Sequence, residues 1–442
     1  MPRPIGSAVT VMCAAALMMA PGVALAVPGI TAVTGTTAVP VTNAADPAAP
    51  ITDRCPHREV PPPAVDTSEV VAPGSATPAP VPVPAQAVGG DRLGECGVIA
   101  DPAAGPVPGR LTSAGWLVAD LDTGAVIAAK DPHGRYRPAS TIKTLLALVV
   151  ADALSAGKLH LEDVVTPDAE DWSQEGDSCG MGPGGHYTVR DLLNGLLVVS
   201  GNDCAHALAR TLGGVATTLT MMNDTAKSIH ALDTRATTPS GLDAAGMATS
   251  PYDLALIFRA ALSHQIFREI IATTTYHFPG YPPRSDVPGD PPHPGYEMQT
   301  SDHLLLQGYP GMIGGKTGYT DDALKTFVGA AQRDNRTVLI VQMYGLSTAD
   351  NNYWTQAADL LDYGFRAPAE VRVGDLVAGP NSSTSAPPPA STQPAEIRTP
   401  RATSTSDSTS ATSVRVLIGL VAALVLIALL AAATRLIGRK RK

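Results

Sequence analysis

The sequence predicts an α+β protein: an antiparallel sheet built from the two ends of one domain, covered by helices made from its middle. Three observations carry this expectation. Trp116-Leu-Val-Ala-Asp-Leu and Ala125-Val-Ile-Ala-Ala are strand-prone runs separated by Asp122-Thr-Gly, so the domain opens on a β-hairpin with a glycine turn. Lys325-Thr-Phe-Val-Gly-Ala-Ala-Gln and Val338-Leu-Ile-Val-Gln-Met-Tyr flank Arg333-Asp-Asn-Arg and form a second hairpin late in the domain. Between them lie segments of helical length, an order that suits a sheet with a helical layer.

Taken along the chain, residues 1–26 have the pattern of a secretory signal. Arg3 is the positive start, residues 8–20 are mostly apolar, and Ala24-Leu25-Ala26 matches a small-x-small cleavage site. Residues 27–96 are a Pro/Ala-rich arm expected to bury too little apolar surface to offset its ordering entropy. The folded domain is expected over 97–378. Within it, Thr141 to Leu154 is apolar and free of Gly and Pro, hence helical. Val189–Leu197 and Cys204–Leu212 read as helices with Ser200-Gly201-Asn202 in the break, and Tyr252–Ala261 and Thr355–Tyr363 as two more. Residues 379–413 are a Ser/Thr/Pro-rich linker, which as flexible chain would reach roughly 30–35 Å. Residues 414–434 are read as a transmembrane helix, since Val416 to Ala433 contains no polar residue. The tail 435–442, with Arg435, Arg439, Lys440, Arg441 and Lys442, places the C-terminus in the cytoplasm and the body outside it.

Composition agrees with apolar addresses and linkers around an ordinary core. The chain has 442 residues, 40 of them proline, and only 16 % are charged, against about 25 % in soluble domains. The net charge of −9 without a basic stripe, and an aromatic content of 4 %, argue against nucleic acid as a partner. Cys13 falls in the signal. Cys55, Cys96, Cys179 and Cys204 remain, an even number for an oxidising compartment. Three pairings are open, and sequence order favours Cys55–Cys96 and Cys179–Cys204. A loop of about 40 residues closed by the first would contribute roughly 4 kcal/mol. No C-x-x-C or paired His spacing suggests a metal, and no cofactor motif is present.

Three short motifs carry chemistry. Ser140-Thr141-Ile142-Lys143 opens the apolar helix, so Lys143 can reach the Ser140 hydroxyl one turn away. A serine needs an adjacent base, and a lysine becomes one only if burial or a nearby cation lowers its pKa. Ser200 and Asn202 on a tight turn can supply a proton-relaying hydroxyl and an amide for a substrate carbonyl. Lys316-Thr317-Gly318 reads as the inner edge of a strand, where Lys316 and Thr317 can bind a carboxylate and Gly318 lets a substrate backbone approach. Gly314-Gly315-Lys316-Thr317 is not a phosphate loop, because Pro310 stands where that pattern needs glycine and no helix follows.

In this order the triple matches the S-x-x-K, S-x-N and K-T-G set of penicillin-binding proteins and related β-lactamases. The sequence resembles the low-molecular-weight D-alanyl-D-alanine carboxypeptidases, over most of residues 110–366. Further likenesses are Leu117-Val-Ala-Asp-Leu-Asp-Thr-Gly, Thr238-Pro-Ser-Gly-Leu-Asp and Gly315-Lys-Thr-Gly-Tyr-Thr-Asp-Asp-Ala. The arm, paired cysteines and single anchor look most like mycobacterial-type members. The resemblance implies a β-lactamase/transpeptidase-like fold, an antiparallel five-stranded sheet flanked by helices with a mostly helical subdomain. It implies that Ser140 is acylated, Lys143 takes its proton, and Ser200 helps protonate the leaving D-alanine with Lys143 or Lys316 in the relay. Asn202 would position the donor peptide, and Lys316 and Thr317 the terminal carboxylate. The N–H groups of Ser140 and Tyr319 would form the oxyanion hole, Tyr319 by position only. The implied partners are peptidoglycan stem peptides, β-lactam inhibitors and the membrane. The C-terminal β-domain of some relatives is expected to be absent. A class A β-lactamase would need a deacylating glutamate, and none occurs between Asn202 and Glu269. A β-lactamase of the same superfamily, DD-endopeptidase action and a silent wall-binding protein are the alternatives. The acidic stretch Asp168, Glu170, Asp171, Glu175, Asp177 reads as a solvated loop, Gly180-Met-Gly-Pro-Gly-Gly as a mobile loop near the cleft, and 279–295 as a proline-rich excursion of unassigned role.

Overall fold

The structure is a computed structural model and describes residues 48–377. The expected signal (1–26), linker (379–413), transmembrane helix (414–434) and tail (435–442) lie outside the described residues, as do residues 27–47. Among the described residues, no helix is long and apolar enough to cross a membrane.

In chain order the elements are β1 (Val98–Ala100), β2 (Gly115–Asp120), β3 (Ala125–Lys130), α1 (Lys143–Ser155), β4 (Val164–Val165), α2 (Ala169–Trp172), β5 (Tyr187–Thr188), α3 (Val189–Val198), α4 (Asn202–Thr211) and α5 (Val215–Ser228). They continue with α6 (Pro251–Ala261), α7 (Gln265–Ile271), β6 (Thr275–Phe278), β7 (Tyr296–Gln299), α8 (His303–Leu306), β8 (Met312–Thr320), β9 (Leu324–Arg333), β10 (Arg336–Gly345), α9 (Tyr353–Arg366) and β11 (Gly374–Asp375). Both expected hairpins form, and they meet: β2 pairs with β10, Val118 opposite Ile340. The main sheet is antiparallel in the order β1-β3-β2-β10-β9-β8, with β11 also on β3.

The expectation of five strands is corrected to seven in the described sheet. The five long strands β3, β2, β10, β9 and β8 are its body. The outer edge of β3 would otherwise show unpaired backbone groups. There β1 pairs Val98–Ala100 with Lys130–Ala128, and β11 pairs Gly374 and Asp375 with Val126 and Ala125.

Side chains alternate across the sheet as period-2 strands require. Trp116, Val118, Val338 and Ile340 face α9, packing with Tyr353, Leu360 and Leu361. Leu117, Ala119, Leu339 and Val341 face the other way, into the core that holds α1 and α6. The run Leu145 to Val150 is buried right round α1, as an apolar helix without a polar face must be.

The arm departs from expectation. Residues 48–96 lie on the domain with only one short helical turn, Asp91–Gly94. Three domain arginines hold its carbonyls. Arg135 donates to Glu59 O, Val81 O and Pro82 O, Arg137 to Pro62 O, and Arg235 to Ala79 O. Proline has no N–H to satisfy and a preset φ, so such a chain is cheaper to order than its composition suggests. Cys55–Cys96 and Cys179–Cys204 are both disulfide-bonded. The 279–295 excursion joins β6 to β7. Its Tyr281 and His293 bridge the two limbs and stack with ring centroids 4.1 Å apart.

Candidate active site

Ser140 lies in a 3-10 turn, Ala139–Ile142, and the α-helix proper begins at Lys143. In the tighter turn, side chains three apart eclipse, so the expected Ser140–Lys143 contact survives the change of helix type. Ala139 is left-handed at φ 47, a conformation costing a non-glycine residue on the order of 1–3 kcal/mol. Neighbours hold it there. Thr141 and Thr326 hydroxyls both donate to Pro138 O, at 2.6 and 2.8 Å. Gly241 lies so close that a Cβ on it would stand 2.0 Å from Ala139 O.

Lys143 is fully buried. Its Nζ is 2.7 Å from Ser140 Oγ, 2.7 Å from Asn202 Oδ1, 2.7 Å from Ser240 O and 3.4 Å from Ser200 Oγ. Asn202 Nδ2 donates to Glu175 O at 2.6 Å, which fixes the amide so that its oxygen faces the lysine. Burial first, then the charge of Lys316, pushes the Lys143 amine well below its ordinary pKa, with Asp177 and Asp203 opposing. A neutral amine has two hydrogens and one lone pair. Asn202 Oδ1 and Ser240 O can only accept, so in the neutral form they would take both hydrogens and leave the lone pair toward the Ser140 hydroxyl.

The second motif forms the opposite wall. Ser200 is left-handed at φ 67, between α3 and α4. Asn202 opens α4, and its N–H donates to Asp177 O at 2.7 Å. Buried Asp203 accepts from Ser178 Oγ at 2.6 Å, Cys179 N at 2.8 Å and Gly180 N at 3.1 Å. With the Cys179–Cys204 disulfide, these bonds anchor the glycine-rich loop to α4. The loop expected to be mobile is thereby pinned at its start.

The third motif lies on β8. Lys316 is fully buried and donates to Thr317 O at 2.7 Å. Burial pushes its pKa down to about 7, against the raising influence of Asp177 and Asp302. Thr317 Oγ1 is 2.7 Å from Ser301 Oγ. A Cβ on Gly318 would meet Thr326 Oγ1 at 2.4 Å and Ser140 N at 2.8 Å. Only glycine lets β8 run against the backbone of Ser140. Tyr319 is exposed, its hydroxyl donating to Asp321.

All three motifs open on one cleft of about 300 Å³, lined by Ser140, Ser200, Thr317, Gly318, Tyr319 and Asp177 among others. Asn202, Lys143 and Lys316 stand buried behind it. Sequence reasoning missed Ser240, Ser301, Asp203 and the role of Asp177. The string Thr238-Pro-Ser-Gly-Leu-Asp marks the place of Ser240, but the working atom is a backbone carbonyl, which no residue type advertises. The acidic stretch is only partly solvated: Asp168 caps α2, and Asp171 is buried against Arg210 Nη2 at 2.8 Å and His206 Nδ1 at 2.7 Å. Among the described residues, two groupings bring metal-ligating atoms within 4.8 Å. In one, Cys179 and Cys204 are spent in the disulfide. In the other, both nitrogens of His133 already face acceptors, Asp233 Oδ2 at 2.7 Å and Val88 O at 3.0 Å.

A family model described as D-alanyl-D-alanine carboxypeptidase, peptidase S11, matches residues 102–346. DacB2, a D-alanyl-D-alanine carboxypeptidase of Mycobacterium tuberculosis, is 46 % identical over 264 residues, covering 59 % of this chain and 85 % of DacB2. The solved D-alanyl-D-alanine carboxypeptidase of Mycobacterium tuberculosis H37Rv is 42 % identical with a TM-score of 0.57, covering 63 % of this chain and 99 % of that one. A variant of the Streptomyces K15 DD-transpeptidase is 25 % identical with a TM-score of 0.52, covering 58 % and 98 %. With its motifs gathered in one cleft and more than half its length matched, the chain belongs to the D-alanyl-D-alanine carboxypeptidase family of serine peptidases.

Proposed function

We propose that this chain carries out the family's reaction through an acyl-enzyme on Ser140, removing the terminal D-alanine from peptidoglycan stem pentapeptides. The observation that carries the reading is the surroundings of the Lys143 amine. Its Nζ stands 2.7 Å from Ser140 Oγ and from two oxygens that can only accept, Asn202 Oδ1 and Ser240 O, and burial pushes its pKa well down, so in the neutral form its lone pair faces Ser140 Oγ. Such an amine takes the hydroxyl proton as the oxygen attacks the peptide carbonyl.

The remaining roles follow from position. The Ser140 and Tyr319 N–H groups receive the developing oxyanion, where β8 passes the nucleophile turn. Each such donor typically contributes about 3–4 kcal/mol. Thr317 and protonated Lys316 bind the substrate's terminal carboxylate. Ser200, 3.4 Å from Lys143 Nζ, relays the proton to the departing D-alanine. Asn202 has its oxygen on Lys143 and its amide on Glu175 O, so it orders the lysine as well as the donor peptide. Water then releases the acyl group. A β-lactam is a substrate mimic here, acylating the same oxygen. The proposed setting is extracytoplasmic, with 1–26 as signal, 97–378 as catalytic domain, 379–413 as tether and 414–434 as membrane anchor, on the composition of those segments.

The test is mass spectrometry of a defined pentapeptide and of cross-linked muropeptides incubated with the unsubstituted chain and with Ser140→Ala. Expected are loss of one D-alanine from the pentapeptide with the cross-link left intact and, in a parallel incubation with penicillin, its attachment at Ser140; Ser140→Ala should show neither the D-alanine loss nor the attachment. Cleaved cross-links would make it an endopeptidase, and unchanged labelling in Ser140→Ala would sink the acyl-enzyme reading.

A further inference from the structure

Glu69 belongs to the arm, outside the stretch 102–346 that the family model matches. Its carboxylate nevertheless ends on Arg137, three positions before Ser140. Arg137 Nε donates to Glu69 Oε1, Nη2 donates to Oε2 at 2.8 Å, and Nη1 donates to the arm's Pro62 O at 2.7 Å. The guanidinium is 2 % exposed and the carboxylate 23 %. Arg137 Nε is also 3.9 Å from Oδ2 of Asp322, whose side chain is fully buried. Asp322 sits in the turn from β8 to β9, and the arm bonds it twice more, through Val65 N and through Ser68 Oγ at 3.2 Å.

The arm therefore ties two segments to each other. One is the turn that carries Ser140. The other is the tip of the strand that carries Lys316, Thr317 and Gly318. Their spacing is the spacing between Ser140 N and the β8 backbone, which is already too tight for a Cβ at Gly318. Charge explains why Glu69 is needed. A third carboxyl, Asp243, is half-buried nearby, pushed up to about 6 by burial, with Asp322 and Glu69 adding to the rise and Thr320 and Arg137 opposing it. One guanidinium cannot serve three acids. With Glu69 on its forked face, Asp322 is left to hold Val65 and Ser68. Without Glu69, a buried guanidinium that keeps its proton must turn to another carboxylate, and Asp322 is within reach. That draws Asp322 away from the arm and shifts both segments.

We propose that Glu69 is a positioning residue for the reaction at Ser140: by taking the forked face of Arg137 it leaves Asp322 to hold Val65 and Ser68 of the arm, and so sets the distance between the nucleophile turn and β8. This rests on the reading of Ser140 as the acylated residue.

The test uses the full chain and Glu69→Gln, Ser68→Ala and Arg235→Ala, with thermal melting to check the fold. The readouts are the acylation rate by a fluorescent penicillin and the separate kcat and KM for D-alanine release. Glu69→Gln is expected to slow acylation and kcat about tenfold, less than the hundredfold that a 1 Å misplacement can cost, with KM within about twofold. Ser68→Ala, which removes one bond to Asp322, is expected to slow both by about two- to threefold on the same reasoning. Arg235→Ala removes an arm contact on Ala79 O and is expected to leave acylation unchanged. Full-rate acylation in a folded Glu69→Gln overturns the proposal. So does an Arg235→Ala that slows acylation as much as Glu69→Gln, since the arm would then act only through general stability. If Glu69→Gln does not fold, full-rate Ser68→Ala overturns it. An unsubstituted chain that releases D-alanine but is never labelled at Ser140 overturns the reading of Ser140 first, and this proposal with it.

Discussion

The two walls of the cleft are held in place by different means. On the β8 wall, Lys316, Thr317 and Gly318 stand opposite Val328, Phe327 and Thr326 in a continuous antiparallel ladder. Position there is shared among many backbone bonds, and the one exacting demand is that Gly318 carry no Cβ. On the helical wall, Ser200 is in no ladder. A left-handed backbone, the amide of Asn202, the carboxylate of Asp203 and the Cys179–Cys204 disulfide hold it. A strand thus tolerates side-chain change until a Cβ meets backbone, whereas a turn depends on a few irreplaceable polar groups.

Four experiments break or sharpen this contrast. The largest effect is expected at the atom both walls serve: Ser140→Ala should lower D-alanine release on the order of 10⁴-fold or more, read as kcat with the fold checked by melting. Next comes Gly318→Ala on the sheet wall. Its methyl meets Ser140 N, so acylation should fall by on the order of 10²-fold with little change in melting. A melting loss without an acylation loss would show that the ladder, not the close approach, is what glycine serves.

On the helical wall, Cys179→Ser with Cys204→Ser opens a loop of sequence separation 25. It should cost about 3 kcal/mol by the chain-entropy account, measured by denaturant titration. KM should rise as the wall loosens, the opposite balance to Gly318→Ala.

The smallest effect separates the walls by charge. Lys316, on β8, is pushed down to about 7, while Asp177, from the helical wall, and Asp302 push it up and Lys143 is the neighbouring amine. Below about 7 the Lys316 amine is protonated and attracts a carboxylate, and above it the charge fades. KM for a carboxylate-terminated peptide should therefore climb as pH passes from 6 to 8. Asp177→Asn removes a raising influence, so the climb should begin at lower pH. A KM profile that is flat in both would remove Lys316 from carboxylate recognition.

Much of the site was legible in the sequence, because each motif is local. Ser140 and Lys143 share a turn whether it is 3-10 or α, and both hairpins announce themselves by period-2 runs around a turn. The pairing of Cys55 with Cys96 and of Cys179 with Cys204 followed chain order. The missed groups share another property. Ser240 acts through a carbonyl, Asp203 through backbone N–H groups of a loop more than twenty residues earlier, and Ser301 through a hydroxyl that meets Thr317 only after β8 is placed. The arm misled for a related reason: its order depends on Arg135, Arg137 and Arg235, none of which lies in it.

By itself the sequence determined the α+β class, the hairpins, the three motifs and the residues able to do the chemistry, since these depend on side-chain type and near-neighbour spacing. Only the tertiary structure decided which state those residues occupy. The same lysine is an ordinary surface cation or a base according to what lies within a few ångströms. For Lys143 those groups are Ser140, Ser200, Asn202, Ser240 and Lys316, brought from four places in the chain around a fully buried amine, where the charged form loses its solvation.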